Sequence, residues 1–211
     1  MTEPENQILF PSATASAKLT RRLRFLLEAD KLRNIERQTF LSDGSRRENS
    51  AEHSWHLALA LVLFSDAAHA AGVSLERALQ IALVHDLVEI YAGDTFVYAD
   101  EAAQLSRIEG EQLAATRLFG MLDDEENAQF RALWEEYEFQ TTPEAHFVAV
   151  FDRLCPMLLN FSSGGRSWRA HGVTVAQVRA RVMPEIATIP ELHAWAEQVL
   201  EESVGLGFLK P

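Results

Sequence analysis

The sequence holds a single cysteine, Cys155, among 211 residues. One thiol excludes an internal disulfide framework and suits a reducing compartment. Within the apolar run FDRLCPMLL it reads as a buried structural thiol and not as a nucleophile. Positive charge is also scarce. Nineteen Lys and Arg stand against 31 Asp and Glu, a formal net charge of −12 with a pI near 5.0. This argues against a nucleic-acid polymer as partner, because such binding draws most of its affinity from clustered basic side chains. A small anionic substrate held by a few local arginines stays allowed. The start, MTEPENQILFPSATASAKLTRR, lacks the basic opening and apolar run of a signal peptide. No stretch approaches the roughly 20 apolar residues of a bilayer span, so the expectation is a cytoplasmic protein with no membrane partner. Sustained period-two alternation, internal repeats and low-complexity tracts are missing too.

What remains is helical periodicity. Leu19, Leu23, Phe25, Leu26 and Leu27 recur at helical spacing between Ser16 and about Lys31, and the polar stretch NIERQTFLSDGSRRENS then reads as an ordered loop. Asn49 with Glu52 forms a capping-box pattern that opens a helix expected to run to Gly72, and Ser74 caps the next, expected to stop at Gly93. ADEAAQLSRIEGEQLAATRLFGML and DDEENAQFRALWEEYE are two further amphipathic segments, the second with Asp123 and Glu126 placed as another capping box. Thr142 and Pro143 start a helix carrying EAHFVAVFDRLCPMLLNF, with a bend expected near Pro156. Two closing helices follow the loop SSGGRSWRAHG. The expectation is all-α: one domain over residues 1–211, a compact bundle of about seven to nine helices, with its core at about 18–160 and C-terminal helices at about 174–203.

Chemistry concentrates in HDLVEIYAGD, residues 85–94. His85, Asp86 and Glu89 can approach one site at the end of a helix, and Asp94 follows just past Gly93. The preceding residues Leu79, Ile81, Ala82, Leu83 and Val84 fix this helix in the core. Burying so many carboxylates without a counter-charge costs several kcal/mol or shifts their pKa values strongly, a penalty that a bound cation removes. Taken alone, an HD pair is common by chance, and an acidic surface helix end would explain it. Two distant residues answer to it, however. His53 lies on the first turn of the preceding long helix, and Asp152 is the acid inside an otherwise apolar late helix. Together His53, His85, Asp86 and Asp152 form a mixed N/O set suited to a divalent ion such as Mn, Co, Fe, Zn or Mg.

The order H…HD…D on helices resembles the HD-domain superfamily of metal-dependent phosphohydrolases. The similarity is greater to its 5′-deoxynucleotidase-like branch, through NSAEHSWHLALAL, HDLVEIYAGDT and EAHFVAVFDRL. The resemblance spans about Lys18 to Asn160. It implies a compact HD-domain helical bundle, commonly homodimeric, with one divalent metal ion on His53, His85, Asp86 and Asp152. A single ion is favoured because only His146 stands between the HD pair and Asp152, where two-metal variants recruit extra histidines. Under the same resemblance Glu89 orients a metal-bound water or takes its proton. Asp94 is the acid for the leaving oxygen or a positioner of the sugar. Arg37 corresponds to the family's phosphate-contacting arginine, although Glu36 replaces the proline of the usual PRTGW pattern. Arg46, on the same loop, and His56, three residues after His53, are further candidates for substrate contact.

The leading expectation is therefore a phosphomonoesterase acting on (deoxy)ribonucleoside 5′-monophosphates. A phosphodiesterase or other nucleotide hydrolase is the second reading, opposed by the few basic residues available for a polyphosphate. A non-catalytic nucleotide or metal sensor is the third, opposed by the presence of both Glu89 and Asp94, which a binder does not need.

Overall fold

A computed structural model of the chain describes residues 16–96, 98 and 101–211. Met1–Ala15, read above for a signal peptide, and Ala99 and Asp100, at the expected start of a helix, lie outside the described residues.

Helix α1 (Ala17–Ala29) begins where the Ser16 hydroxyl accepts from the Leu19 amide, and it buries only Phe25, leaving Leu19, Leu26 and Leu27 exposed. A 3₁₀ turn (Asp30–Asn34) leads into an antiparallel hairpin of β1 (Glu36–Phe40) and β2 (Arg47–Asn49). This replaces the expected loop. The pairing is irregular between Glu36 and Phe40, and β2 has three residues, too few for alternation to register in the sequence.

Asn49 closes the hairpin and caps α2 (Ser50–Leu63), with the capping box to Glu52 formed in both directions. The expected single helix to Gly72 is interrupted at Phe64, after which α3 (Ser65–Ala70) follows. Helix α4 (Leu75–Val84) is capped by Ser74. It ends earlier than its pattern implied. The chain turns through His85–Val88 and resumes as α5 (Glu89–Ala92), with Gly93 reversing it at φ 78°, a conformation that favours glycine.

Next come α6 (Glu101–Phe119) and α7 (Asp124–Glu138). Asp123 caps α7 by accepting from the Glu126 amide, but the Glu126 carboxylate binds Arg22 at 2.5 Å instead of returning to complete a capping box. Helix α8 (Pro143–Ser162) continues past Pro156. A short α9 (Arg166–His171) occupies the expected loop, and α10 (Val175–Ile186) and α11 (Pro190–Gly205) close the fold.

Helix α8 packs against α2, α4 and α10 and is buried on almost every side, with Val148, Ala149 and Phe151 fully enclosed. Helix α2 turns Leu57 and Leu61 toward it, and α4 turns Ala78, Ile81 and Ala82. Apolar faces at helical spacing thus bring three elements together, with His53 buried in α2, the His85–Asp86 pair just past the end of α4 and Asp152 buried in α8.

Candidate metal centre

Each polar interruption is fixed by its local backbone. His85 follows the last residue of α4, where its Nδ1–H donates to the Ala82 carbonyl at 2.8 Å. A carbonyl only accepts, so the neutral ring carries its proton on Nδ1 and presents a lone pair at Nε2. That Nε2 is buried and makes no hydrogen bond, although Asp86 Oδ1 lies 3.1 Å away and Asp152 Oδ1 lies 3.9 Å away. An acceptor nitrogen facing carboxylate oxygens, with nothing between them, is an arrangement that a cation completes.

His53, on the first turn of α2, is completely buried. Its Nε2 lies 2.8 Å from Asp152 Oδ1 and 3.9 Å from Asp86 Oδ2. Burial lowers its pKa, and the nearby Arg37 guanidinium adds to the effect. Asp152 is enclosed by α8; its Oδ2 accepts from Tyr137 at 2.5 Å and from Arg153. Burial by itself would raise its pKa. Arg153, His53 and His85 outweigh burial and hold the carboxyl well below the usual range, so it stays an anion. His53, His85 and Asp152 each offer one ligand atom, all within 4.8 Å of one another. Asp86 borders the group and is held in turn by Arg37 Nη1 at 2.7 Å. Two imidazoles and carboxylate oxygens make a donor set that fits a divalent ion.

A cavity of about 400 Å³ opens over this group and is lined by Arg37, His85, Asp86, Glu89, Asp94 and Asp152, among others. Glu89 Oε2 accepts from Ser50 at 2.5 Å, and its Oε1 lies 3.7 Å from Arg37 Nη1. Burial, reinforced by the adjacent Asp86 charge, raises the Glu89 pKa well above the ordinary carboxylate value. Burial raises Asp94 as well. Both acids are thereby biased toward holding a proton.

Of the residues singled out from sequence, the structure gathers His53, His85, Asp86, Glu89, Asp94, Asp152 and Arg37 at or beside the cavity. Arg46 and His56 are not among its lining residues. Arg46 is exposed, and its guanidinium is bound by Glu52 of the capping box at 2.5 and 2.8 Å. His56 is half-buried and stacks on Trp55 with ring centroids 6.2 Å apart. Tyr137, Ser50 and Glu48 escaped the sequence reading. Glu48 is 2% exposed, lies 3.8 Å from His53 Nδ1, and has its pKa pushed up to about 7 by burial. Its place on a three-residue strand gives no pattern that could have announced it. Arg153 could have been found, because it directly follows the buried acid of an apolar helix.

The profile of a family described as HD domain matches residues 29–193. The chain is 30% identical over 133 residues to 5′-deoxynucleotidase HDDC2 of Danio rerio, an alignment covering 63% of this chain and 64% of that protein. It spans just under two thirds of that relative's length. The Homo sapiens protein of the same name is 29% identical over 153 residues, covering 72% of each. A solved structure described as a predicted metal-dependent phosphohydrolase from Magnetospirillum magnetotacticum MS-1 is 43% identical. It superposes with a TM-score of 0.84 over 93% of this chain and 100% of its own.

If the cluster holds an ion, adding Mn²⁺ to chelator-treated protein raises the thermal midpoint, since a ligand bound only by the folded state stabilises it by mass action. Asp152→Asn abolishes that rise. A rise of equal size in the variant means that Asp152 is not a ligand.

Proposed function

The chain belongs to the HD domain family, and from that membership we propose a metal-dependent phosphohydrolase that removes phosphate from (deoxy)ribonucleoside 5′-monophosphates. The observation that carries this reading is the unpartnered His85 Nε2, buried among carboxylates at the wall of a cavity that also displays Arg37, Glu89 and Asp94. Similarity to a protein described as a metal-dependent phosphohydrolase and to proteins named 5′-deoxynucleotidase supports the reaction class.

His53, His85, Asp86 and Asp152 would hold one divalent ion of the Mn, Co, Fe, Zn or Mg group. When bound, such an ion supplies positive charge that acidifies water and neutralises phosphoryl oxygens. The protein's own groups do the rest. Arg37 Nη1 is committed to Asp86, while the Nη2 group has no hydrogen bond among the described residues and is available to a phosphate oxygen. Glu89 is anchored through Oε2 by Ser50, which leaves Oε1 to orient the attacking water and, with an ion's charge beside it favouring its anionic form, to take that water's proton. The water oxygen bonds to phosphorus, the P–O5′ bond breaks, and Asp94 gives a proton to the departing nucleoside oxygen. A cavity of about 400 Å³ lies in the usual range for small-molecule sites. Trp168, Val178 and Val182 are among its apolar lining residues and are available to a base.

Residues 1–211 form one domain in this reading, supported by a single apolar cluster reaching from Phe25 to Leu209. The working assembly is a homodimer. Helix α2 exposes Trp55, Leu59 and Val62 at spacings of four and three, an apolar stripe suited to a second copy. One buried free thiol and the lack, among the described residues, of any helix long and apolar enough to cross a membrane fit a cytoplasmic setting.

Mn²⁺- or Co²⁺-loaded protein releases inorganic phosphate from a panel of nucleoside 5′-monophosphates. Glu89→Ala lowers that turnover roughly 100-fold or more while keeping its metal. A panel that stays inert beside a cleaved diester refutes the monoesterase reading. Light scattering after gel filtration gives the mass of two 23.7 kDa chains, and Trp55→Glu shifts it to one; a monomeric parent protein refutes the dimer.

A further inference from the structure

Four arginines line the cavity, and three are already neutralised. Arg37 binds Asp86 at 2.7 Å, Arg107 binds both oxygens of Glu111 at 2.8 Å, and Arg153 binds Asp152. Arg181 makes no hydrogen bond or ion pair among the described residues. An acid is within reach in sequence: Glu185 is four residues further along α10 and lines the same cavity, yet the two do not pair. Helices ordinarily close such i, i+4 pairs on their solvent face.

Arg181 lines the same cavity as Asp152, Arg153 and Tyr137. It is exposed, while its helical neighbours Val178 and Val182 are buried and also line the cavity. Partial desolvation lowers its pKa, the like charge of Arg153 adds to this, and Asp152, Tyr137 and Tyr98 oppose it. Arg37 is surrounded by a different set, Asp86, Glu89 and Asp94, and shares only Asp152 with Arg181. The two arginines line the cavity from different elements, β1 and α10. A guanidinium presents a planar fork of donors that matches an oxyanion, and that of Arg181 has no carboxylate among the described residues to give up before it can take one.

We propose that Arg181 is a substrate-capturing residue whose guanidinium takes a phosphate oxyanion from the α10 side of the cavity. The ligand class rests on the phosphohydrolase reading; the vacancy at Arg181 does not. Two sources share this chemistry: the phosphate that reacts, and a second phosphate carried by the same nucleotide.

The test is calorimetric titration of Mn²⁺-loaded wild type, Arg181→Gln and Arg181→Lys with the uncleavable 5′-methylenephosphonate analogue of a deoxynucleoside 5′-monophosphate and with the same analogue carrying a 3′-phosphate. Arg181→Gln weakens binding roughly 10-fold or more, the size of one charge-assisted hydrogen bond. Arg181→Lys recovers part of the loss, having the charge without the fork, and Mn²⁺ affinity stays unchanged in both variants. Loss with both analogues assigns Arg181 to the reacting phosphate, and loss with the 3′-phosphorylated analogue alone assigns it to the second one. Equal affinity of wild type and Arg181→Gln for both ligands overturns the proposal, as does a fall in Mn²⁺ affinity that accounts for the loss. Binding is read without turnover, so a protein that binds through Arg181 but hydrolyses nothing refutes the hydrolase reading alone.

Discussion

Asp152 is kept ionised in the middle of the most enclosed helix of the chain, and the site is organised around what makes that tolerable. Burial alone would drive a proton onto this carboxyl. Instead Tyr137 and Arg153 donate to one oxygen, while His53 lies 2.8 Å from the other. Each partner comes from a separate turn or helix, so the position of one carboxylate constrains how α2, α7 and α8 pack. Losing any one partner leaves a buried charge uncompensated, which is more damaging than never having had the pair.

The compensation is incomplete as it stands. Asp86, Glu89, Asp94 and Glu48 crowd the same end of the bundle, and Arg37 is the cation they share. Burial raises the pKa values of Glu48, Glu89 and Asp94, and the neighbouring Asp86 charge adds to the rise in each. A divalent ion between His53, His85, Asp86 and Asp152 would relieve it and would use the lone pair that Ala82 forces onto His85 Nε2. Burial and charge thus lead to the same conclusion as the family similarity, by an independent route.

Much of this was legible in the sequence because the signals are contrasts. A histidine after an apolar helix, an acid inside another, and a histidine just past a capping box stand out against their surroundings. The helical character of the chain was legible for the same reason. The hairpin was not, since β2 is three residues long and its register is irregular. The breaks at Phe64 and after Val84 were hidden by apolar periodicity that continues through them. Tyr137, Glu48 and Arg181 have no local pattern, because their roles exist only once distant elements meet. Arg46 is placed elsewhere: its proximity in sequence to Arg37 suggested the cavity, whereas it is not among the lining residues and its guanidinium is bound by Glu52.

The central claim is that a metal completes the buried cluster, and diffraction at the Mn absorption edge from crystals grown with Mn²⁺ tests it most directly. The account requires one anomalous peak, bonded to Nε2 of His53, Nε2 of His85 and carboxylate oxygens of Asp86 and Asp152, at roughly 2.0–2.3 Å as for ions of this class. Crystals in which these side chains stay as they are here, with no peak among them, contradict it.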